Sequence, residues 1–510
     1  MRAKTLMVLG TASSVGKSLI VTAFCRLFKR HGFSVAPFKS QNMSLNSFVT
    51  PEGHEMGRAQ VSQAEAAGLT PSALMNPILL KPTTNSKSQA IVNGKVHGDM
   101  SAAEYYAYKE NLRPQVQAAF DRLAEQYEVV ILEGAGSPAE INLMDGDFVN
   151  MGMAAMAEAP VVLVGDIDRG GVFASLYGTV KLLPPEDQAR IKGLLVNKFR
   201  GDVKILEPGL RQIEAILGLP VLGVIPYGKF AVDEEDSLTE RLSRRGARAS
   251  INIAVPRLPR LSNFTDFAVF DSLPDVALNY VEDAEALNGA DLIIIPGSKN
   301  TIEDMQYLEE SGLAERLRQL GGQGRAIVGL CGGFQMLGRM IHDPHGVESP
   351  LGRIPGLALL DVETSLARDK QTLQSALTLR EGPGLLAGCG GLRLNGYEIH
   401  MGQTVPGPEA IILADGEAGP AGAVNRAGNV LGSYLHGFFD SLEFTRAFLD
   451  RLRQAKGLER GAESDESLIA YRQFKEREYD RLADLVEAHL PFPKLLDICG
   501  LTAKKGDRHD

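Results

Sequence analysis

Two short stretches of this chain carry side chains in patterns that chemistry can use. In LMVLGTASSVGKSLIVTAFCRLFKRHG an apolar run leads into Gly10, Thr11, Ser14, Val15, Gly16, Lys17 and Ser18, and a helical pattern follows. Backbone N–H groups from Ser14 to Lys17 would face phosphates at the helix N-terminus, Lys17 would neutralise their charge and Ser18 would offer its hydroxyl to Mg²⁺. Five residues separate Gly10 from Gly16, one more than in the common phosphate loop. In AIVGLCGGFQMLGR, Cys331 ends an apolar run and Gly332 and Gly333 allow a sharp turn into a helix. That is the pattern of a nucleophile elbow, with the Gly332 N–H open to an oxyanion and the helix end favouring the thiolate. A cysteine nucleophile needs a base. His436 in NVLGSYLHGFF follows a strand-like run, His400 in GYEIHMG competes with it, and Gly297 and Ser298 in IIIPGSKNT could complete the oxyanion hole.

Further polar residues stand where apolar runs end, and open α/β sheets place ligands there. Glu133 in EVVILEGAGS is suited to hold Mg²⁺ with Ser18, and Lys39 in FSVAPFKSQNMSLNS to reach a γ-phosphate or a reacting carboxylate. Gln41 and Asn42 of the same loop are candidate substrate contacts. The stretch INLMDGDFVNMGMA gathers Asn142, Asp145, Asp147 and Asn150, which fits either a metal or substrate loop or a capped turn before a helix. GDIDRGGVFAS adds Asp166, Asp168 and Arg169.

The elements that must position these groups are legible as short, wholly apolar runs. TLMVLG, FSVAPFK, EVVILEG, PVVLVGDI, IKGLLVNKF and LPVLGVIPY alternate with helical stretches, as strands of a parallel sheet buried on both faces do. INIAVPRL, ADLIIIPGSKN, AIVGLCGGF and NVLGSYLHGFF form a second such series. The expected fold is α/β with two doubly wound domains. A phosphate-loop domain spans 1–231, a charged linker 232–250, a thiol domain 251–455, and a C-terminal helix and tail 456–510. The helix, with Leu468, Tyr471, Phe474, Tyr479, Leu482 and Leu485 at helical spacing, is expected to pack on the second domain.

Composition bounds the partners. A net charge of −10 over 510 residues argues against nucleic acid or an anionic membrane surface. The four cysteines show no paired spacing, and no run approaches the roughly 18 apolar residues of a membrane span, so the expected setting is the cytoplasm. Association of the chain with further copies of itself is left open.

The first stretch is similar to the dethiobiotin synthetase-like ATPases in its loop spacing. GLCGGFQMLG with the later YLHG resembles the class I glutamine amidotransferases, which take ammonia from the glutamine side chain. That family usually carries a glutamate two residues after the histidine, where this chain has Phe438. The union of the two, together with FKSQNMSLNS, MNPILLKPT, VNGK, NKFRGD and YEIHMG, resembles the corrin-amidating synthases and covers nearly the whole chain. The resemblance implies ATP- and glutamine-dependent amidation of a small-molecule corrin. By resemblance alone, the QNMSLNS and GDIDRGG loops favour amidation of the b, d, e and g carboxylates of adenosylcobyrinic acid a,c-diamide. Amidation at a and c is the near alternative, and a P-loop switch ATPase with an inactive amidotransferase-like module the distant one.

Overall fold

The computed structural model describes residues 2–83, 86–233, 249–417, 419–459 and 471–504. Most of the expected charged linker, and Leu468, lie outside these residues.

The first half is built on a six-stranded sheet, all parallel, in the order Val221–Pro226, Ile191–Phe199, Val161–Asp166, Lys4–Gly10, Val129–Glu133, Val35–Phe38. Its strands are apolar throughout because successive residues feed two cores. Met7, Leu9, Val130 and Leu132 face one side, and Leu6, Val8, Val129 and Ile131 the other. The first core is closed by the long helix Ala102–Gln126, which starts at a capping box between Ser101 and Glu104. The second is closed by the loop helix Lys17–Arg30.

The C-terminal helix, Tyr471–His489, corrects an expectation. Tyr479, Leu482 and Val486 sit in the second core of the first half, against Phe24 and Leu27 of the loop helix, and the following helix Phe492–Cys499 joins them. Only its first turn, through Tyr471 and Phe474, meets the core of the second half. Arg26 fixes the docking through Glu476 and Asp480, both at 2.7 Å. Sequence proximity suggested the wrong partner. The apolar stripe went to the sheet face that the loop helix alone leaves open.

The second half holds an eleven-stranded mixed sheet. Its parallel part runs Val276–Val281, Ile251–Pro256, Leu292–Ile295, Ala326–Leu330, Val430–Ser433, and antiparallel strands extend it, among them the long pair Val362–Leu379 and Arg393–Pro406. The tip of that pair reaches the first half. Tyr397 and Ile399 share a small core with Val49, and Lys370 pairs with Glu55 at 2.6 Å.

Candidate functional site

At the end of strand Lys4–Gly10 the loop turns through left-handed conformations at Ser14 (φ +58°) and Gly16 (φ +96°). Glycine is required at 16, since an added Cβ would lie 2.2 Å from the Asn197 amide. Asn197 donates to Val15 O at 2.8 Å and Lys198 to Ser14 O at 2.7 Å, so the strand Ile191–Phe199 holds the loop open. Lys17 folds over the loop and donates to Ala12 O and Gly136 O, both at 2.9 Å. Ser18 Oγ donates to Glu133 Oε1 at 2.8 Å. The buried Lys39 donates to that same oxygen at 2.8 Å, and Gln63 donates to the other. Burial pushes the Glu133 carboxyl up, but Lys39 and the donors around it outweigh that and hold it below the usual carboxylate range. Ser18, Glu133 and Lys39 therefore stand together as the sequence suggested.

The other polar loops are spent differently. Asp147 accepts from the N–H groups of Val149, Asn150 and Gly152 at the start of the helix Met151–Met156, and it also lines the cavity beside the long helix Ala102–Gln126, so its position suits both readings of its loop. Asn150 clamps the backbone at Ala135, and so fixes the loop that offers Gly136 O to Lys17. Asp166 pairs with Lys198 at 2.9 Å, and Asp168 with Arg200 at 2.8 Å.

In the second half, Cys331 sits at φ +52°, ψ −109°, a strained conformation for a side chain with a Cβ. The strain is held by crowding. A Cβ on Gly333 would stand 2.0 Å from Ile295 O, and one on Gly332 would stand 2.8 Å from the Ser298 nitrogen. The elbow is thus pressed against Gly297 and Ser298, and the Ser298 hydroxyl is pinned to Asp304 at 2.6 Å. The thiol donates to Ile399 O at 3.6 Å.

His436 is 1% exposed, with Tyr397 stacked on its ring and Cys331 beside it. Its Nδ1–H donates to Asp266 Oδ2 at 2.7 Å, and the Gly437 N–H donates to the other oxygen. Burial disfavours the imidazolium, yet Asp266, followed by Cys331, more than offsets it and raises the pKa to about 10. His400, the competing base, spends Nδ1 on Gly402 O and Nε2 on Glu398, and stacks on Tyr434.

Asp266 is the residue that sequence reasoning missed. Phe438 occupies the place of the usual glutamate and is fully buried against Phe439 and Phe444. The carboxylate comes instead from the turn Phe264–Ser272, in the stretch NFTDFAVF. A lone aspartate inside so apolar a run was the available signal, since a buried carboxylate needs a partner.

Between the two centres runs a buried polar strip. Asn263, whose amide lies 3.3 Å from the His436 ring, accepts from Ser47 N at 2.9 Å, and Asn46 accepts from Phe264 N at 3.1 Å. Deeper in the first half, Asn42 donates to Gln60 at 2.8 Å, and Gln63 reaches Glu133. Ser40 Oγ, Asn42 Oδ1, Asn46 Nδ2, Gln60 Nε2 and Gln63 Oε1 are buried without a hydrogen-bond partner among the described residues. Buried polar atoms are rarely left so, and here five share one strip.

Comparison with known proteins agrees with both halves. Residues 6–237 match the family model described as the CobQ/CobB/MinD/ParA nucleotide binding domain, and residues 252–444 match the CobB/CobQ-like glutamine amidotransferase domain. The chain is 51% identical to a cobyric acid synthase of Streptococcus sanguinis, covering 97% of this chain and 98% of that one. It is 51% identical to the enzyme of that name from Yersinia enterocolitica and 50% identical to the one from a Thermoanaerobacter species, each again covering 97% of this chain and 98% of the other.

Proposed function

This chain belongs to the cobyric acid synthase family, and from that premise we propose how its two centres divide the work of a glutamine-using, ATP-dependent ligase of cobalamin biosynthesis. The substrate is adenosylcobyrinic acid a,c-diamide, and amidation of its b, d, e and g carboxylates gives adenosylcobyric acid. Ammonia cannot displace oxide from a carboxylate, so the acid must first be activated. The loop of residues 10–18 holds the triphosphate, with Lys17 and Lys39 as its cations. A corrin carboxylate oxygen attacks the γ-phosphorus and ADP leaves, forming an acyl phosphate. Ammonia then attacks the acyl carbon and inorganic phosphate departs.

Ser18 and Glu133, a hydroxyl and a carboxylate oxygen 2.8 Å apart, are the hard donors that Mg²⁺ prefers, and they would hold it. Bound there, the ion would neutralise charge on the phosphates. Among the described residues no helix is long and apolar enough to cross a membrane. The four cysteines are all free and buried, which fits the reducing cytoplasm.

Nitrogen is released at Cys331. Its sulfur attacks the glutamine side-chain amide, the N–H groups of Gly332 and Ser298, with Gly297 beside them, receive the oxyanion, and His436 protonates the departing ammonia. Water, deprotonated by His436, then cleaves the thioester to glutamate. In bulk water ammonia would become ammonium and lose its lone pair, so it travels along the buried strip from Asn263 to Gln63. The observation that carries this reading is the strip itself, whose unpartnered polar atoms join the imidazole to the carboxylate beside the phosphate loop.

The test is a pair of variants assayed with either nitrogen source, counting amides added per corrin by mass. Cys331→Ser loses glutamine-driven amidation and keeps ammonium-driven amidation, while Lys17→Ala loses both. Loss of both activities in a folded Cys331→Ser protein overturns the two-centre scheme. Amides confined to a and c assign the chain to the diamide synthase reaction instead.

A further inference from the structure

We propose that the cavity of about 800 Å³ between the long helix Ala102–Gln126 and the loop of residues 135–138 is the seat of the corrin, with Lys109 and Arg113 as its carboxylate-reading wall. The proposal rests on the reading above for the identity of the ligand. The cavity itself is argued from its walls.

Tyr105, Lys109 and Arg113 follow one another at four-residue spacing on the long helix, so they form a single stripe, and all three line the cavity. Lys109 is the telling member. It is only 9% exposed, and among the described residues its ammonium has neither an ion pair nor a hydrogen bond. Its neighbours are the rings of Phe148, 5.3 Å away, and Tyr106, 5.8 Å away. Aromatic faces attract a cation without neutralising it, and the cavity beside it leaves room for a counter-charge. An anion arriving with the ligand would complete the site. Arg113 stands one turn further along the same stripe, more exposed, as a second charge for a ligand with several carboxylates.

The remaining surfaces fit a broad, flat macrocycle with apolar faces. Met43, Leu80, Met100 and Met144 line the cavity together with Tyr106. Position supports the assignment too. Gly136 lines the cavity and accepts from Lys17, so a carboxylate reaching past that loop meets the γ-phosphate. Gln41 also lines it, held by the Tyr105 hydroxyl, and is the chain neighbour of Ser40 and Asn42 in the polar strip. Activated acid, phosphate and ammonia therefore converge at one rim.

Four carboxylates at different points of the ring must reach this single rim, so the ligand turns or rebinds between amidations. Each amidation removes one negative charge. The pull of Lys109 and Arg113 weakens with each round, and the product, with four fewer negative charges, is held least. Charge thus drives both loading and release.

The experiment measures equilibrium binding of adenosylcobyrinic acid a,c-diamide and of adenosylcobyric acid, with steady-state KM values, for the wild type, Lys109→Gln, and Ala155→Phe, which narrows the cavity from the opposite wall. Removing a buried partner of a carboxylate is expected to weaken the acid-rich substrate about ten- to a hundredfold. The product should change by about twofold or less, since its b, d, e and g groups are neutral amides. Ala155→Phe should weaken both corrins, and the KM values for ATP and glutamine should not follow. Unchanged corrin affinity in both variants of an enzyme that still amidates corrin overturns the cavity assignment alone. A wild type that hydrolyses ATP and glutamine yet binds neither corrin overturns the assignment together with the reading it rests on.

Discussion

Replacing Asp266 by asparagine removes one charge from a buried pair and leaves the shape almost unchanged. The carboxylate lies 2.7 Å from His436 Nδ1, with side-chain exposures of 1% for the histidine and 5% for the aspartate. Two unit charges about 4 Å apart attract by about 4 kcal/mol at an effective dielectric near 20, which sets the ceiling. A hydrogen bond to a charged group, about 1.5–3 kcal/mol, sets the floor. At about 1.4 kcal/mol per decade the glutaminase kcat/KM should fall by about ten- to a thousandfold. Ammonium-driven amidation should stay within about threefold of wild type, because the phosphate loop does not use this pair.

The pH profile separates an electrostatic role from a merely structural one. His436 is raised to about 10 in the folded protein, above its ordinary value near 6.5. Its contribution to stability is therefore complete below about 6.5 and lost as the pH rises through about 10. In Asp266→Asn the alkaline limb of glutaminase should move down from about 10 toward neutrality. Its thermal midpoint should lie below wild type at pH 7 and approach it above pH 10. Glutamate release assays and melts across pH 6–10.5 check both. Glutaminase within threefold of wild type with an unmoved alkaline limb would refute the assignment of Asp266 as the group that positions and charges His436.

Two further variants test the connections. Gln60→Leu keeps the volume of a fully buried strip residue and removes its polarity, so ammonia should leak and the ratio of glutamate released to amide formed should rise above one, whereas a ratio fixed at one places the route elsewhere. Tyr479→Ala empties a site 1% exposed and frees Glu65 of its 2.7 Å donor, which should cost about 3–5 kcal/mol. Melts should show that loss, with ATP binding failing before glutaminase, since the side chain packs behind the phosphate loop helix.

What the sequence disclosed followed from local rules. A phosphate loop needs a strand, glycines and a helix in immediate succession, and a nucleophile elbow needs two small residues after the cysteine. Each is complete within about fifteen residues, so each could be read. The antiparallel extension of the second sheet and the docking of Tyr471–His489 depend on which apolar surfaces remain open after everything else has packed, and no window of sequence contains that. Asp147 shows the limit from the other side. Its composition fitted ligand binding and helix capping equally, and only the folded chain shows it against three N–H groups and on the wall of a cavity at once.

The orienting carboxylate gives the most instructive case, because a triad constrains where an oxygen stands and not which segment brings it. A glutamate at 438 would have been carried by the same strand exit as His436, within the second half's own structure. Here the segment of residues 263–270 brings it instead. Asn263 of that segment accepts from Ser47, and the N–H of Phe264 donates to Asn46, so the first half grips the segment on the residues just before Asp266. The Tyr397 hydroxyl donates to Ser47 O while its ring stacks on His436, so the same first-half strand that meets Asn263 also meets the residue covering the imidazole. Moving the carboxylate off position 438 frees that position for Phe438 in the aromatic core, and it places the charge beside His436 on a segment that the first half contacts at Asn263 and Phe264. The His436 imidazole is thereby tied, through Asp266, to a segment that also touches the first half.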